Sequence, residues 1–137
     1  LSYLLDTNVL SEIRKGRNCN PQVRAWWSGV EEIDVYVSVM VLGEVRRGID
    51  QLRVRHPANA RELENWMLAV SQGLGARLLV VERTIAEVWG TLSVKRTLPL
   101  VDGLLAATAL AHDLTLVTRN ARDIADCGVR LFNPFEP

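Results

Sequence analysis

Five short apolar runs are strung along the chain with helix-period stretches between them, and this alternation constrains the fold more than any other feature. The runs are Tyr3-Leu4-Leu5, the β-branched stretch Val35 to Val39, "RLLVV" at 77 to 81, "LTLVT" at 114 to 118 and "VRLF" at 129 to 132. Between them Leu63, Trp66, Met67, Val70 and Leu74 recur at helical spacing, as do Ile85, Val88, Trp89 and Leu92. That spacing marks helices burying one face. Gly73 or Gly75 is expected to close the first of these helices, and Pro99 to stop the second from continuing. "PQVRAWWSGV" and "VDGLLAATALAHD" read as helices too. Strands alternating with helices predict an α/β layer fold with a five-stranded, mostly parallel sheet. With 137 residues and no repeat, linker or low-complexity stretch, the expectation is a single domain over 1–137. By spacing, Trp26, Trp27, Trp66 and Trp89 fall mostly toward the core, and a surface role toward a second copy or a partner stays open.

The 16 basic and 16 acidic residues cancel, which excludes a protein that coats nucleic acid by net charge alone and leaves local patches open. The basic residues are fourteen arginines and only Lys15 and Lys95. The planar guanidinium suits phosphate or carboxylate partners, although a compositional bias accounts for the excess equally well. Cys19 and Cys127 form neither a metal-ligand spacing nor a disulfide framework. His56 and His112, the only histidines, are too few for a three-histidine zinc site. No leader-like segment and no apolar run near about 20 residues is present, so the expectation is a soluble, cytoplasmic protein with no membrane partner.

In such folds chemistry gathers where strands end and the following helices begin, and acids recur at these places. Asp6 stops the first apolar run, with Thr7 and Asn8 directly after it. Glu44 is the only charge between Asp34 and Arg46, and Asp102 the only one from Leu98 to Ala111. "TRNARD" then places Thr118, Arg119, Asn120 and Asp123 behind another strand. Each has a plain structural reading: a helix cap for Asp6 and Asp102, a surface helix position for Glu44, a turn for Asn120, a surface acid for Asp123. Taken together, acids from several strand ends would share one pocket and repel one another. A divalent cation is the simplest neutraliser, and oxygen-only ligands suit Mg²⁺ or Mn²⁺. Such an ion can bind a phosphodiester, activate an attacking water and stabilise the leaving oxygen.

"LLDTNVLSEI", "VSVMVLGEVRRGI", "LPLVDGLLAATALAHDLTLVTRN" and "FNPF" together resemble a PIN domain. The likeness is greatest to the VapC-like toxins of type II toxin–antitoxin pairs, including their FitB-like branch, and it runs over essentially the whole chain. It implies a three-layer α/β/α domain with a five-stranded parallel sheet and Mg²⁺- or Mn²⁺-dependent endoribonuclease activity. It also implies a homodimer held in check by a small VapB-like antitoxin, through which a larger assembly can sit on DNA. On this likeness Asp6, Glu44 and Asp102 are the metal-binding acids, with Asp123 a further catalytic candidate. Thr7, Asn8, Ser38, Thr118 and Asn120 stand where supporting polar residues are found. Where a fourth acid often occurs the chain reads Thr118-Arg119-Asn120, so either Asn120 or Asp123 completes the site. Asp6 and Asp102 would hold the main ion and Glu44 would position or deprotonate the water. Arg46, Arg47, Arg119 and Arg122 would steer phosphates, contacts that set affinity and not sequence choice. The alternative is a nuclease-dead PIN-like module acting only through a protein partner; retention of all three acids speaks against it. A haloacid-dehalogenase phosphatase would need an aspartate where Asn8 stands, and a receiver domain a lysine beyond Lys95.

Overall fold

The computed structural model describes residues Leu1–Pro137. Its five strands are β1 (Tyr3–Leu5), β2 (Val35–Ser38), β3 (Leu78–Leu79), β4 (Thr115–Val117) and β5 (Leu131–Phe132). They pair in the order β3-β2-β1-β4-β5, and every pairing is parallel. The helices are α1 (Thr7–Arg14), α2 (Pro21–Trp27), α3 (Val39–Arg53), α4 (Pro57–Leu74), α5 (Arg83–Lys95), α6 (Leu100–His112) and α7 (Ala121–Ile124).

Burial on the strands explains the layering. Successive strand residues point to opposite faces, yet Leu4 and Leu5 are both fully buried, as are Leu116 and Val117. Both faces of the sheet are therefore covered by helices, which is why its central strands read as unbroken apolar runs. Leu5, Val35 and Val37 share one groove with residues of α1, α2 and α4, so those helices lie on one face. The chain then crosses from β3 at one edge to β4 beyond β1, and a right-handed crossover carries α5 and α6 to the other face. α6 is packed along most of its length: Gly103 and Leu105 to Ala109 are buried. No helix is long and apolar enough to cross a membrane.

The strands are shorter than the apolar runs suggest. Val39 already belongs to α3, because the buried Ser38 hydroxyl accepts from the Met40 N–H at 3.1 Å and caps that helix. "RLLVV" yields only Leu78–Leu79, and Val80 is 62% exposed. β3 is an edge strand, so an apolar run there does not lie at the centre of the core. Trp26, Trp27 and Trp66 pack against the core, as their spacing implies, at its margin. All four are only partly buried, and Trp26 lies in an aromatic group with Tyr3, Trp27 and Phe132. α4 ends at Gly75, whose φ of +53° admits glycine far more readily than other residues.

The position of the site follows from strand order. β1 leads to β2 on one side and neighbours β4 on the other, so the order reverses between β1 and β4. Leu5 pairs with Val117 at the ends of these strands. Asp6 and Thr118 therefore leave the sheet side by side at the crevice where α/β folds bind ligands.

Candidate active site

Asp6 is 4% exposed and carries two duties. Its Oδ1 accepts the Thr7 N–H at 2.7 Å and caps α1, so the plain reading as a helix cap is correct. Its Oδ2 accepts the Thr118 hydroxyl at 2.7 Å and the Asn8 side-chain amide at 3.4 Å. Thr118, fully buried behind β4, also accepts the Asn120 N–H at 3.0 Å. The two strand ends are thus joined by hydroxyl and amide bridges around one carboxylate.

Glu44 lies in the second turn of α3, where the Thr7 hydroxyl donates to its Oε1. Its other oxygen stands 3.9 Å from the Arg47 guanidinium. Asp102 is not a helix cap. α6 begins at Leu100, directly after Pro99, so Asp102 falls in its first turn, where the helix dipole favours a carboxylate.

The electrostatics link the three acids. Burial pushes the Asp6 carboxyl above its ordinary range and Glu44 pushes it further, while the Thr118, Thr7 and Asn8 donors oppose the rise. Asp102 is raised as well, first by burial and then by the negative charges of Asp6, Glu44 and Asp123. A buried acid repelled by several others gains from any cation bound beside it.

Asp6, Glu44 and Asp102 line one pocket of about 400 Å³ together with Thr7, Asn8 and Asn120. Its remaining walls are Arg47, Gly48 and Gln51, and no hydrophobic residue faces it. The donor set is oxygen-rich and free of sulfur and imidazole, which fits Mg²⁺ or Mn²⁺. The carboxylates share the pocket without drawing together into a cluster of three at metal-ligand spacing.

The other sequence candidates divide. Asn120 lines the pocket, whereas Asp123 lies exposed on α7 outside it and acts on Asp102 through its charge. Ser38 is committed to capping α3 and lies outside the pocket wall. Arg47 is on the wall. Arg46 points away and pairs with Glu64 of α4, an ion pair that Arg53 joins at 3.2 Å. Arg119 stacks on the Phe135 ring, 4.0 Å from its centre, and its backbone N–H donates to the Asn8 Oδ1 at 3.2 Å. Arg122 is 91% exposed beside Glu136. Gly48 and Gln51 were missing from the sequence candidates, although helical spacing from Glu44 places both on its face of α3: Arg47, Gly48 and Gln51 all fall within about 60° of Glu44 around the axis, and Arg46 about 160° away.

Comparison with known proteins bears on this arrangement. Residues 3–127 match the family model described as PIN domain. The chain is 32% identical to Toxin FitB of Neisseria gonorrhoeae, over 96% of this chain and 97% of that protein. It is 28% identical to VapC ribonuclease Y4jK of Sinorhizobium fredii, over 98% of each. Among solved structures it resembles FitAB bound to an IR36 DNA fragment, with a TM-score of 0.87 and 28% identity over 98% of this chain and 96% of that one.

Proposed function

We propose, from the premise that this chain belongs to the PIN-domain family, that it is a Mg²⁺- or Mn²⁺-dependent endoribonuclease and the toxin of a type II toxin–antitoxin pair. The observation that carries the reading is the convergence of Asp6, Glu44 and Asp102, from three separate elements, on one wholly polar pocket at the reversal of strand order. FitB, named a toxin, and Y4jK, named a VapC ribonuclease, support it over nearly the full length of the chain. FitAB, solved on a DNA fragment, supports a small antitoxin partner and an assembly on DNA formed through it. A homodimer and a cytoplasmic location belong to the same reading.

Asp6 and Asp102 would hold the ion, with Glu44 beside them. When bound, the ion would neutralise the phosphodiester and lower the pKa of an attacking water. The chain's own residues do the rest. Thr118 and Asn8 fix the Asp6 carboxylate, so its lone pairs keep one direction through the reaction. The Thr7 hydroxyl holds Glu44, leaving the second carboxylate oxygen to orient the water and take its proton. Asn120 offers a neutral oxygen that adds no repulsion to the acids. Arg47, 69% exposed at the rim, is placed to hold a phosphate.

Purified protein incubated with a panel of structured RNAs tests this. Cutting with Mn²⁺ or Mg²⁺ that stops with EDTA and is absent in Asp102→Asn is expected. Cutting indifferent to both would refute it, and silence from a protein that binds no metal would favour a module acting only through its partner.

A further inference from the structure

We propose that Gly48 and Gln51 form the wall that selects the nucleotide beside the scissile phosphate, Gly48 by leaving room for it and Gln51 by hydrogen-bonding it. The inference rests on the nuclease reading above and extends it to residues without a metal-binding role.

Gly48 stands in the interior of α3, where glycine destabilises a helix relative to alanine. No packing reason requires it: a Cβ there would meet nothing within 4 Å, and its φ is not in the left-handed region. Gly43, on the same helix, is equally open but does not line the acidic pocket, whereas Gly48 does. The missing side chain at 48 therefore widens the pocket at the wall carrying Glu44 and Arg47.

Gln51 continues that wall. It lies about 10 Å along the helix axis from Glu44, the reach of a neighbouring nucleotide and not of the reacting phosphate itself. Of the amides nearer the acids, Asn8 donates to Asp6 and accepts from the Arg119 N–H, and Asn120 is assigned above to the ion. The Gln51 side chain is exposed at the pocket, and its amide offers both a donor and an acceptor. A ribose hydroxyl or a base edge presents the matching pair, and an unpaired nucleotide exposes both. Along one face of α3 the order is thus an acid, a cation for phosphate, a gap, and a neutral amide.

The test separates selection from chemistry. A 5′-fluorescein-labelled pool of short single-stranded RNA of randomised sequence is titrated with wild type, Gly48→Leu, Gln51→Ala and Gly43→Leu, with Ca²⁺ in place of Mn²⁺ to neutralise the acids, and anisotropy is read. Mn²⁺ binding is measured by calorimetry, and the sites cut in Mn²⁺ are mapped. Gln51→Ala is expected to weaken RNA binding by about 2- to 10-fold, the scale of one hydrogen bond, and Gly48→Leu to weaken it by filling the gap. They should also redistribute cutting among sites and raise KM more than they lower kcat, with Mn²⁺ affinity unchanged. Gly43→Leu should bind and cut as wild type does. Wild-type affinity and an unchanged cutting pattern in Gly48→Leu and Gln51→Ala would overturn the wall while leaving the nuclease reading intact, as would equal losses in Gly43→Leu. A wild type that binds Mn²⁺ but neither binds nor cuts RNA would overturn both.

Discussion

Thr118→Val isolates the hydroxyl that holds the buried carboxylate. Valine keeps the shape of threonine, so no cavity opens at this fully buried position, and the change removes one donor 2.7 Å from Asp6 Oδ2. A hydrogen bond to a charged group is worth about 1.5–3 kcal/mol. The second bond lost, from the Asn120 N–H, costs less because Asn120 is only partly buried and water can replace the threonine oxygen. At about 2.1 cal/mol/K of unfolding entropy per residue, 137 residues convert 1 kcal/mol into about 3.5 °C, so Tm should fall by about 5–10 °C at neutral pH. The loss should depend on pH with a definite sign. Asp6 titrates above its ordinary range, and Thr118 is the largest influence holding it down. Valine therefore moves the carboxyl higher still. The difference between the two proteins should be full where Asp6 is ionised in both and should shrink as pH falls and the carboxyl protonates. Thermal unfolding followed by far-UV circular dichroism from neutral to acidic pH measures this, with Thr118→Ser as the variant that keeps the hydroxyl. Equal Tm for wild type and Thr118→Val at neutral pH, or a gap that widens on acidification, would refute the reasoning.

Other consequences follow from the same geometry. Because Asp102 is raised by burial and by three acids, the metal-free fold binds its proton more tightly than the unfolded chain does. Stability should then fall as pH rises from the ordinary carboxylate range through the raised value; urea unfolding should find that slope reduced in Asp102→Asn, with the variant at least as stable as wild type at neutral pH. Gly103→Ala would place a Cβ 3.1 Å from two atoms of the Trp89 indole. The indole must give by a few tenths of an ångström, which a shifted tryptophan emission should report, and any loss of stability in denaturant titration should stay below about 3 kcal/mol. Arg47→Gln should weaken RNA binding more than Arg46→Gln, since Arg47 lines the pocket and Arg46 is held by Glu64; filter binding at low salt would check the order.

Much of this was legible in the chain because burial leaves a sequence trace. Two-sided burial makes β1 apolar throughout and β4 nearly so, and α6 is apolar on most sides, so a charge that ends or interrupts such a stretch stands out, as Asp6 and Asp102 do. Edge position leaves no comparable trace: "RLLVV" looks like a central strand, yet β3 has a neighbour on one side only and Val80 faces outward. Nor does closeness in sequence give direction. Arg46 and Arg47 both follow Glu44 closely, but the turn of the helix sends one to α4 and the other to the pocket. Helical spacing puts Gly48 and Gln51 on the Glu44 face of α3, but which residues of that face line a pocket depends on the opposite wall, which the chain alone does not show. The choice between Asn120 and Asp123 depended on the loop after β4, which turns Asn120 into the pocket and leaves Asp123 outside.

If acids from three elements form one divalent-cation site that cuts RNA, removing one acid should cost both the ion and the cutting. Titrating Mn²⁺ into metal-free wild type and Asp102→Asn by calorimetry, with RNA cutting assayed on the same samples, tests it most directly. Saturable binding by wild type, binding weakened at least about tenfold in the variant, and cutting lost in step are expected. Mn²⁺ binding that is the same in both proteins, or cutting that continues in the variant, would contradict it.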